Sequence, residues 1–266
     1  MFDAYLARWA LTPDGAPIQT HSSSLLPVRR GNRPAMLKIA REAEERRGGL
    51  LMAWWAGDGA ARVLAHEDGA LLMERALGPS SLSGMVRQGR DDEASRIICR
   101  VAARLHAPRG APPPLIPLGE WFRALEPAAR RHGGILSRAA AVARELLAEP
   151  QEAVALHGDL HHGNVLDFGP RGWLAIDPKR LHGERGFDFA NILRNPDLDP
   201  AIVTAPGRLE RQASVIAEAA GLDRRRLLQW VLAFAGLSAA WILGDGEEPA
   251  LDLAVARIVA AELRRP

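Results

Sequence analysis

The sequence predicts an α+β chain in two lobes: a small sheet-plus-helix N-terminal lobe over residues 1–76 and a larger, mainly helical C-terminal lobe over residues 77–266. Three observations carry this reading. Short apolar runs broken by turn residues fill the first part of the chain, and past "ALGPSS" the pattern changes to long helical periodicity. One stretch, "HGDLHHGNVLDFGPRGWLAID" (157–177), interrupts the helical half with extended segments rich in polar chemistry. At 266 residues with 47% hydrophobic side chains, the chain has enough apolar material for two packed lobes.

In the N-terminal part, "GAPIQTHSSSLLPV" reads as two short extended runs meeting at a serine-rich turn, and "RRGNRP" as a second turn. "AMLKIA" is a strand with Lys38 near its end. Residues 42–57 start with helix-type charges and continue with an apolar face, weakened by Gly48 and Gly49. "ARVLAHEDGALLMERA" is a pair of strands about Asp68-Gly69, a strong hairpin dipeptide.

Beyond the change of pattern, "DDEASRIICRVAARLHAP" is a helix whose first turn Asp91 or Asp92 can cap. The proline-rich "APRGAPPPLIPLG" is a surface connection, and "EWFRALEPAARRHGG" and "ILSRAAAVARELLAE" are two helices parted at Gly133-Gly134. "AVAL", "NVLDF" and "GWLAID" are short strands, the last two joined by a turn over 169–172. That hairpin sets the loop 157–164 and Asp177 at one end of one ribbon. Helices resume after Asp199. The most apolar segment, 227–243, is at the lower edge of a membrane span and contains Gln229, Gly236 and Ser238, which fits a buried core helix better.

The formal net charge is +2, from 34 Lys plus Arg against 32 Asp plus Glu, which gives no support to nucleic-acid binding. Basic runs at Arg29, Arg30 and Arg33, at Arg46 and Arg47, and at Arg224, Arg225 and Arg226 read as turns and solvated helix faces. The lone Cys99 sits in an apolar stretch and reads as a small buried hydrophobe in a reducing compartment. The start lacks a basic region followed by a continuous apolar one, so a cytoplasmic protein is expected, with no membrane and no obligatory protein partner.

The chemistry concentrates at 157–177. A histidine-ligated metal is disfavoured: there is no HExxH arrangement and no cysteine pair, and His157 and His161 span a glycine in a loop. An oxygen set fits better. Asp159 lies five residues before Asn164, and Asp177 follows at a strand end. A carboxylate and an amide oxygen on Asp177 and Asn164 suit hard Mg2+, leaving Asp159 to orient a hydroxyl and accept its proton, the division of labour of phosphoryl transfer.

"LHGDLHHGNVL", "LAIDPKRLHGERGFDFANILRNP" and "GALLMERA" together resemble the aminoglycoside phosphotransferases, members of the protein-kinase-like fold. More narrowly, they resemble the streptomycin 6-phosphotransferase and hydroxyurea-resistance kinase family, over about 25–246. The resemblance implies ATP- and Mg2+-dependent transfer of the γ-phosphate to the hydroxyl of a small-molecule acceptor, above all an aminoglycoside such as streptomycin. Hydroxyurea or another small hydroxylated metabolite is an alternative acceptor, and a nucleotide-binding pseudokinase is an alternative role.

The same resemblance implies Asp159 as catalytic base, Asn164 and Asp177 as Mg2+ contacts, His157 as a loop-holding residue and Asp188 as a brace beneath the loop. Lys38 would pair with nucleotide phosphates and with Glu44 or Glu45, between which the helix phase does not choose. Adenine would be read by backbone groups of Glu74 and Ala76. Where protein kinases carry a glycine-rich turn this chain has Ser22, Ser23 and Ser24, whose backbone and hydroxyl groups could meet phosphate. Asp197, Asp199, Glu247, Glu248, Trp230 and Trp241 are candidates for the acceptor wall.

Overall fold

Strand β3 (Ser23–Arg30) turns through Gly31 and Asn32 into β4 (Arg33–Ala40), with Arg30 opposite Arg33 and Ser23 opposite Ala40. The computed structural model describes residues 1–20, 22–41, 48–67 and 69–265. Along β3, Leu26 and Val28 point inward and alternate with less buried neighbours, the period-two pattern of a sheet with one covered face. β4 pairs with β6 (Ala70–Glu74), which pairs in turn with β5 (Val63–Glu67). β1 (Leu11–Pro13) and β2 (Ile18–Gln19) both lie along β3. All these pairings are antiparallel, in the order β1-β3-β4-β6-β5.

One face of this sheet is covered by Phe2, Tyr5, Leu6 and Trp9 from and around the helix Asp3–Arg8, packed on Leu26, Val28, Leu37 and Leu72. That helix is absent from the sequence reading because six residues are too short for a helical period to show. Toward the other face lies the helix Gly48–Trp55, whose Met52 packs with Leu71 and Met73. Glu44, Glu45, Arg46, Arg47 and Asp68 lie outside the described residues. The expected serine turn is displaced: Ser23 and Ser24 belong to β3 and are buried, because their backbones continue the ladder opposite Ala40 and Ile39.

The larger lobe is built on the helix Arg224–Gly244, which packs against Gly134–Ala148, Ala250–Glu262 and the segment Arg185–Arg194. It is 21 residues long and holds an 18-residue stretch of mean hydropathy 1.7 that would suit a membrane span, yet 72% of that stretch is buried inside the protein, as a core helix requires. Of the arginines at its start Arg225 is exposed as expected, whereas Arg224 and Arg226 are not a solvated face. Arg226 donates to both carboxylate oxygens of Glu184 at 2.7 and 2.6 Å, Trp230 adds its indole N–H at 2.8 Å, and Arg224 pairs with Glu262 at 2.7 Å. Asp91 and Asp92 likewise leave the start of the helix Asp91–Leu105 uncapped. They reach instead across to Arg208, Arg211 and Gln212 on the helix Arg208–Ala220, where bidentate guanidinium geometry outcompetes a local cap.

Two small ribbons sit between these helices and the first sheet. β9 (Val165–Asp167) and β10 (Trp173–Ala175) form the expected hairpin. β8 (Ala153–Leu156) pairs with β11 (Leu181–Glu184), a strand not foreseen, which also pairs with β7 (Ile116–Pro117). Trp55 joins the lobes: it is buried in the core of the larger one, its indole N–H donates to the Leu105 carbonyl at 3.0 Å, and its ring stacks on His157.

Two stability outcomes follow. A Cβ at Gly236 would fall far inside van der Waals contact of the Ala139 Cβ on the helix Gly134–Ala148. Gly236→Ala should therefore destabilise by about 1–3 kcal/mol in urea unfolding, despite the better helix propensity of alanine. The second concerns His162, only 2% exposed, whose ring nitrogens have no hydrogen-bond partner among the described residues. Burial, reinforced by Arg208 and His161 and opposed by Asp197, pushes its imidazole down to about 3. The unfolded histidine titrates near 6.5, so the neutral side chain is tolerated fully above that pH and costs stability as pH falls from about 6.5 toward 3. His162→Leu should remove that loss, its advantage over wild type growing by up to about 1.4 kcal/mol per pH unit between about pH 5.5 and pH 4.

Candidate active site

The loop between β8 and β9 is held from beneath by one buried carboxylate. Asp188 is 1% exposed; its Oδ2 accepts from the backbone N–H of His157 at 2.9 Å and its Oδ1 from that of Gly158 at 2.6 Å, while Oδ2 also lies 2.8 Å from His106 Nε2. Burial alone would raise this carboxyl; His106, His157 and the amides outweigh it and hold Asp188 below its ordinary value. Gly158 takes φ +83°, and a Cβ there would press on the Leu181 side chain, so the loop can approach β11 only with glycine at this position.

His157 is bonded on both ring nitrogens. Its Nδ1 accepts the Asp159 N–H at 3.2 Å, which leaves the proton on Nε2 to donate to the Ile176 carbonyl at 2.8 Å. Burial keeps the imidazole below its ordinary value, against the pull of Asp188 and Asp159. One neutral histidine thus fastens the loop to the end of β10.

Asp159 is held by two amides. Asn191 Nδ2 donates to Oδ1 at 2.8 Å; Asn164 Nδ2 donates to the Asp159 carbonyl at 2.9 Å and to Oδ2 at 3.3 Å. Asn164 immediately precedes β9, and its own carbonyl accepts the Ile176 N–H at 2.9 Å, which registers it beside Asp177 just beyond β10. Asp177 has φ +65°, a conformation costing about 1–3 kcal/mol for most non-glycine residues and found at sites where the surrounding structure enforces it. Its carboxylate pairs with Lys38 from β4. The strand lysine and the far acid, 139 positions apart in sequence, therefore meet in the cleft.

The fit to Mg2+ can be judged from the donors. The Asn164 amide nitrogen is turned to Asp159, so its oxygen points the other way, and with the Asp177 carboxylate it makes a hard-oxygen pair of the kind Mg2+ takes alongside phosphates and water. Among the described residues no group of three or more His, Cys, Asp or Glu could hold a metal ion, which disfavours a transition-metal centre here.

At the lobe connection, the Glu74 N–H donates to the Arg62 carbonyl at 3.0 Å, and its carboxylate binds the Arg62 N–H and the guanidinium of Arg171. The Glu74 amide is thus committed, contrary to an adenine-reading role for that group. No described residue accepts from the Ala76 N–H, and Arg75 is drawn away to Asp14 at 2.5 Å. Ser23 lies 1% exposed, its backbone N–H bound to Thr20 Oγ1 at 3.1 Å, so its hydroxyl is turned into the lobe and away from a surface turn. Glu44 and Glu45, the expected partners of Lys38, lie outside the described residues.

Beside Asp159 opens a cavity of about 880 Å³, walled by His161, Asn191, Arg194, Trp121, Trp241 and Asp245 among others. Trp121 and Trp241 meet edge to face at 5.4 Å. Trp241 lies in this wall. Trp230 does not, being a core residue bound to Glu184, and Asp197 is engaged by Ser83 and Arg87. The sequence reading missed His106, Asn191 and Arg194. For Asn191 and Arg194 a signal existed: they follow Asp188 at intervals of three.

Comparison with known proteins gives one answer at three levels. The family model for "Aminoglycoside/hydroxyurea antibiotic resistance kinase" matches residues 8–246. The chain is 56% identical over 264 residues to a streptomycin 3''-kinase of Klebsiella pneumoniae, covering 98% of this chain and 99% of that protein. It is 33% identical to a streptomycin 6-kinase of Streptomyces glaucescens, covering 98% and 88%. In fold it resembles a choline/ethanolamine kinase family protein from Mesorhizobium loti, with a TM-score of 0.69 at 17% identity over 99% of this chain and 95% of that one. The small sheet-and-helix lobe, the larger helical lobe and the polar loop between β8 and β9 thus belong to a protein-kinase-like phosphotransferase, and the chain is a member of the aminoglycoside/hydroxyurea antibiotic resistance kinase family.

Proposed function

We propose that this chain transfers the γ-phosphate of ATP to the 3''-hydroxyl of streptomycin. The observation that carries the choice of acceptor is the 56% identity to a streptomycin 3''-kinase across nearly the whole of both chains, against 33% to a 6-kinase. The lobe boundary falls after residue 76, with nucleotide bound on the smaller side and acceptor on the larger.

Asp159 is the catalytic base. It orients the acceptor hydroxyl and takes its proton as that oxygen bonds to the γ-phosphorus and the bond to the departing ADP oxygen breaks. Asn164 and Asp177 hold Mg2+, which supplies charge neutralisation on the phosphates. Lys38 adds a second positive charge there, a reading supported by its pairing with Asp177 across the cleft. The Glu74 carbonyl and Ala76 N–H read adenine. His157 and Asp188 keep Asp159 in place. A cytoplasmic location supplies ATP and keeps the buried Cys99 thiol reduced.

With γ-labelled ATP and Mg2+, streptomycin should be labelled at the 3'' position, ahead of other aminoglycosides, hydroxyurea and simple polyols. Asp159→Asn should lower kcat by roughly 100-fold or more, as expected when proton removal and orientation fail together. Label on a different acceptor would discard the streptomycin assignment; unchanged transfer by Asp159→Asn would discard the role of Asp159. Lys38→Met should lower kcat/KM for ATP by about 100-fold while leaving the KM for streptomycin within about threefold, because its charge serves the phosphates.

A further inference from the structure

Asp188, Asn191 and Arg194 lie at intervals of three along the 3₁₀ helix Arg185–Arg194. In that helix residues three apart eclipse one another, so the three side chains form one row, and a 3₁₀ run of ten residues is unusually long. Asp188 holds the loop amides of His157 and Gly158, Asn191 holds the carboxylate of Asp159, and Arg194 reaches both Asn191 and the core beside it. There Arg194, 5% exposed, lies 2.5 Å from Asp252, 2% exposed, and donates to Ser238 Oγ at 2.8 Å. Asp252 stands on the helix Ala250–Glu262, beyond the residues matched by the family model.

The amide of Asn191 has two possible orientations, and its neighbours select one. Arg194 Nη1 approaches Asn191 Oδ1 at 3.1 Å and Asn195 Nδ2 approaches it at 3.3 Å. A guanidinium has donors and no acceptor, so the Asn191 oxygen must face it and the NH2 must face Asp159, where an ionised carboxylate only accepts. In the flipped amide, N–H would oppose N–H at Arg194 and oxygen would oppose oxygen at Asp159.

From this geometry we infer that Asn191 is a positioning residue for the catalytic carboxylate and that the buried Arg194–Asp252 pair acts on the reaction by setting the orientation of the Asn191 amide. The inference rests on the reading of Asp159 as the base. The ion pair is a costly element in an apolar core, since each charge loses its water and a well-packed apolar pair can replace such a pair with little loss of stability. Its link to Asn191 gives it a function there. Asn191 and Arg194 also line the acceptor cavity, so the same row fixes Asp159 and shapes the wall beside it.

The test replaces the pair as a unit, Arg194→Met with Asp252→Leu, so that neither charge is stranded, and adds Asn191→Ala to that variant and to the wild type. Steady-state transfer to streptomycin is measured together with thermal unfolding. Asn191→Ala alone should lower kcat by roughly 10–100-fold, from misplacement of the reacting carboxylate. The pair variant should keep a cooperative unfolding transition and lose roughly tenfold in kcat, and the triple variant should be no slower than Asn191→Ala alone, because Arg194 acts through Asn191. A folded pair variant with the wild-type kcat overturns the inference, as does a triple variant whose loss is the product of the two separate losses.

If the pair variant does not fold, Arg194→Lys serves in its place under the same two readings, since it keeps the charge beside Asp252 but lacks the fork that reaches Ser238 and Asn191 together. Asp159→Asn is run in parallel. If it retains wild-type transfer, the reading of Asp159 and this inference fail together; if it is inactive while the pair variant is as fast as wild type, only the inference fails.

Discussion

The arrangement of the site depends on a charge that water cannot reach. Asp188 is buried and ionised, and it can remain so only because the backbone amides of His157 and Gly158 and the ring of His106 are arranged around it. The constraint is mutual: the carboxylate needs those donors, and the two amides, at the end of β8 in the interior, need an acceptor. With two consecutive amides held, the direction of the next residue is set, and that residue is Asp159. Removing the Asp188 carboxylate would orphan three donors at once, which ties the geometry of the site to the stability of the larger lobe.

From that anchor the remaining groups are placed by regular structure. The hairpin of β9 and β10 sets Asn164 and Asp177 side by side at one end, and at its other end Asp167 and Arg171 reach the lobe connection. The Asp167 carbonyl accepts the Gly78 N–H at 2.9 Å, and Arg171 spans from Glu74 to the Gly57 carbonyl. One short ribbon therefore fixes both the acid that meets Lys38 and the segment through which the smaller lobe is joined. Trp55, stacked on His157 and bonded to Leu105, closes the same connection from the other side.

Much of this was legible in the chain. The loop 157–164, the hairpin after it, Lys38 on its strand and Asp188 beneath the loop are all read from spacing or from family resemblance, and all occupy the expected places. The errors share a cause. Asp91 and Asp92 look like caps, and Arg224 and Arg226 like a wet face, because local pattern shows a charge without its partner; the partnering charges lie more than thirty residues away. Ser22, Ser23 and Ser24 look like a turn by composition, and only the ladder opposite Ala40 and Ile39 turns Ser23 and Ser24 into strand. The row of Asp188, Asn191 and Arg194 follows three residues per turn, a spacing that a 3.6-residue helical period does not reveal.

Fold class, family and the polar loop 157–164 were readable in the chain alone, since these rest on local periodicity and on residues close together in sequence. Packing of distant segments set which donors surround Asp159, which way the Asn191 amide points and where Lys38 finds its acid. The Asn191–Asp159 and Lys38–Asp177 contacts join residues 32 and 139 positions apart, and they form when burial strips charges of water and makes each buried polar group take whatever partner the packing brings within reach.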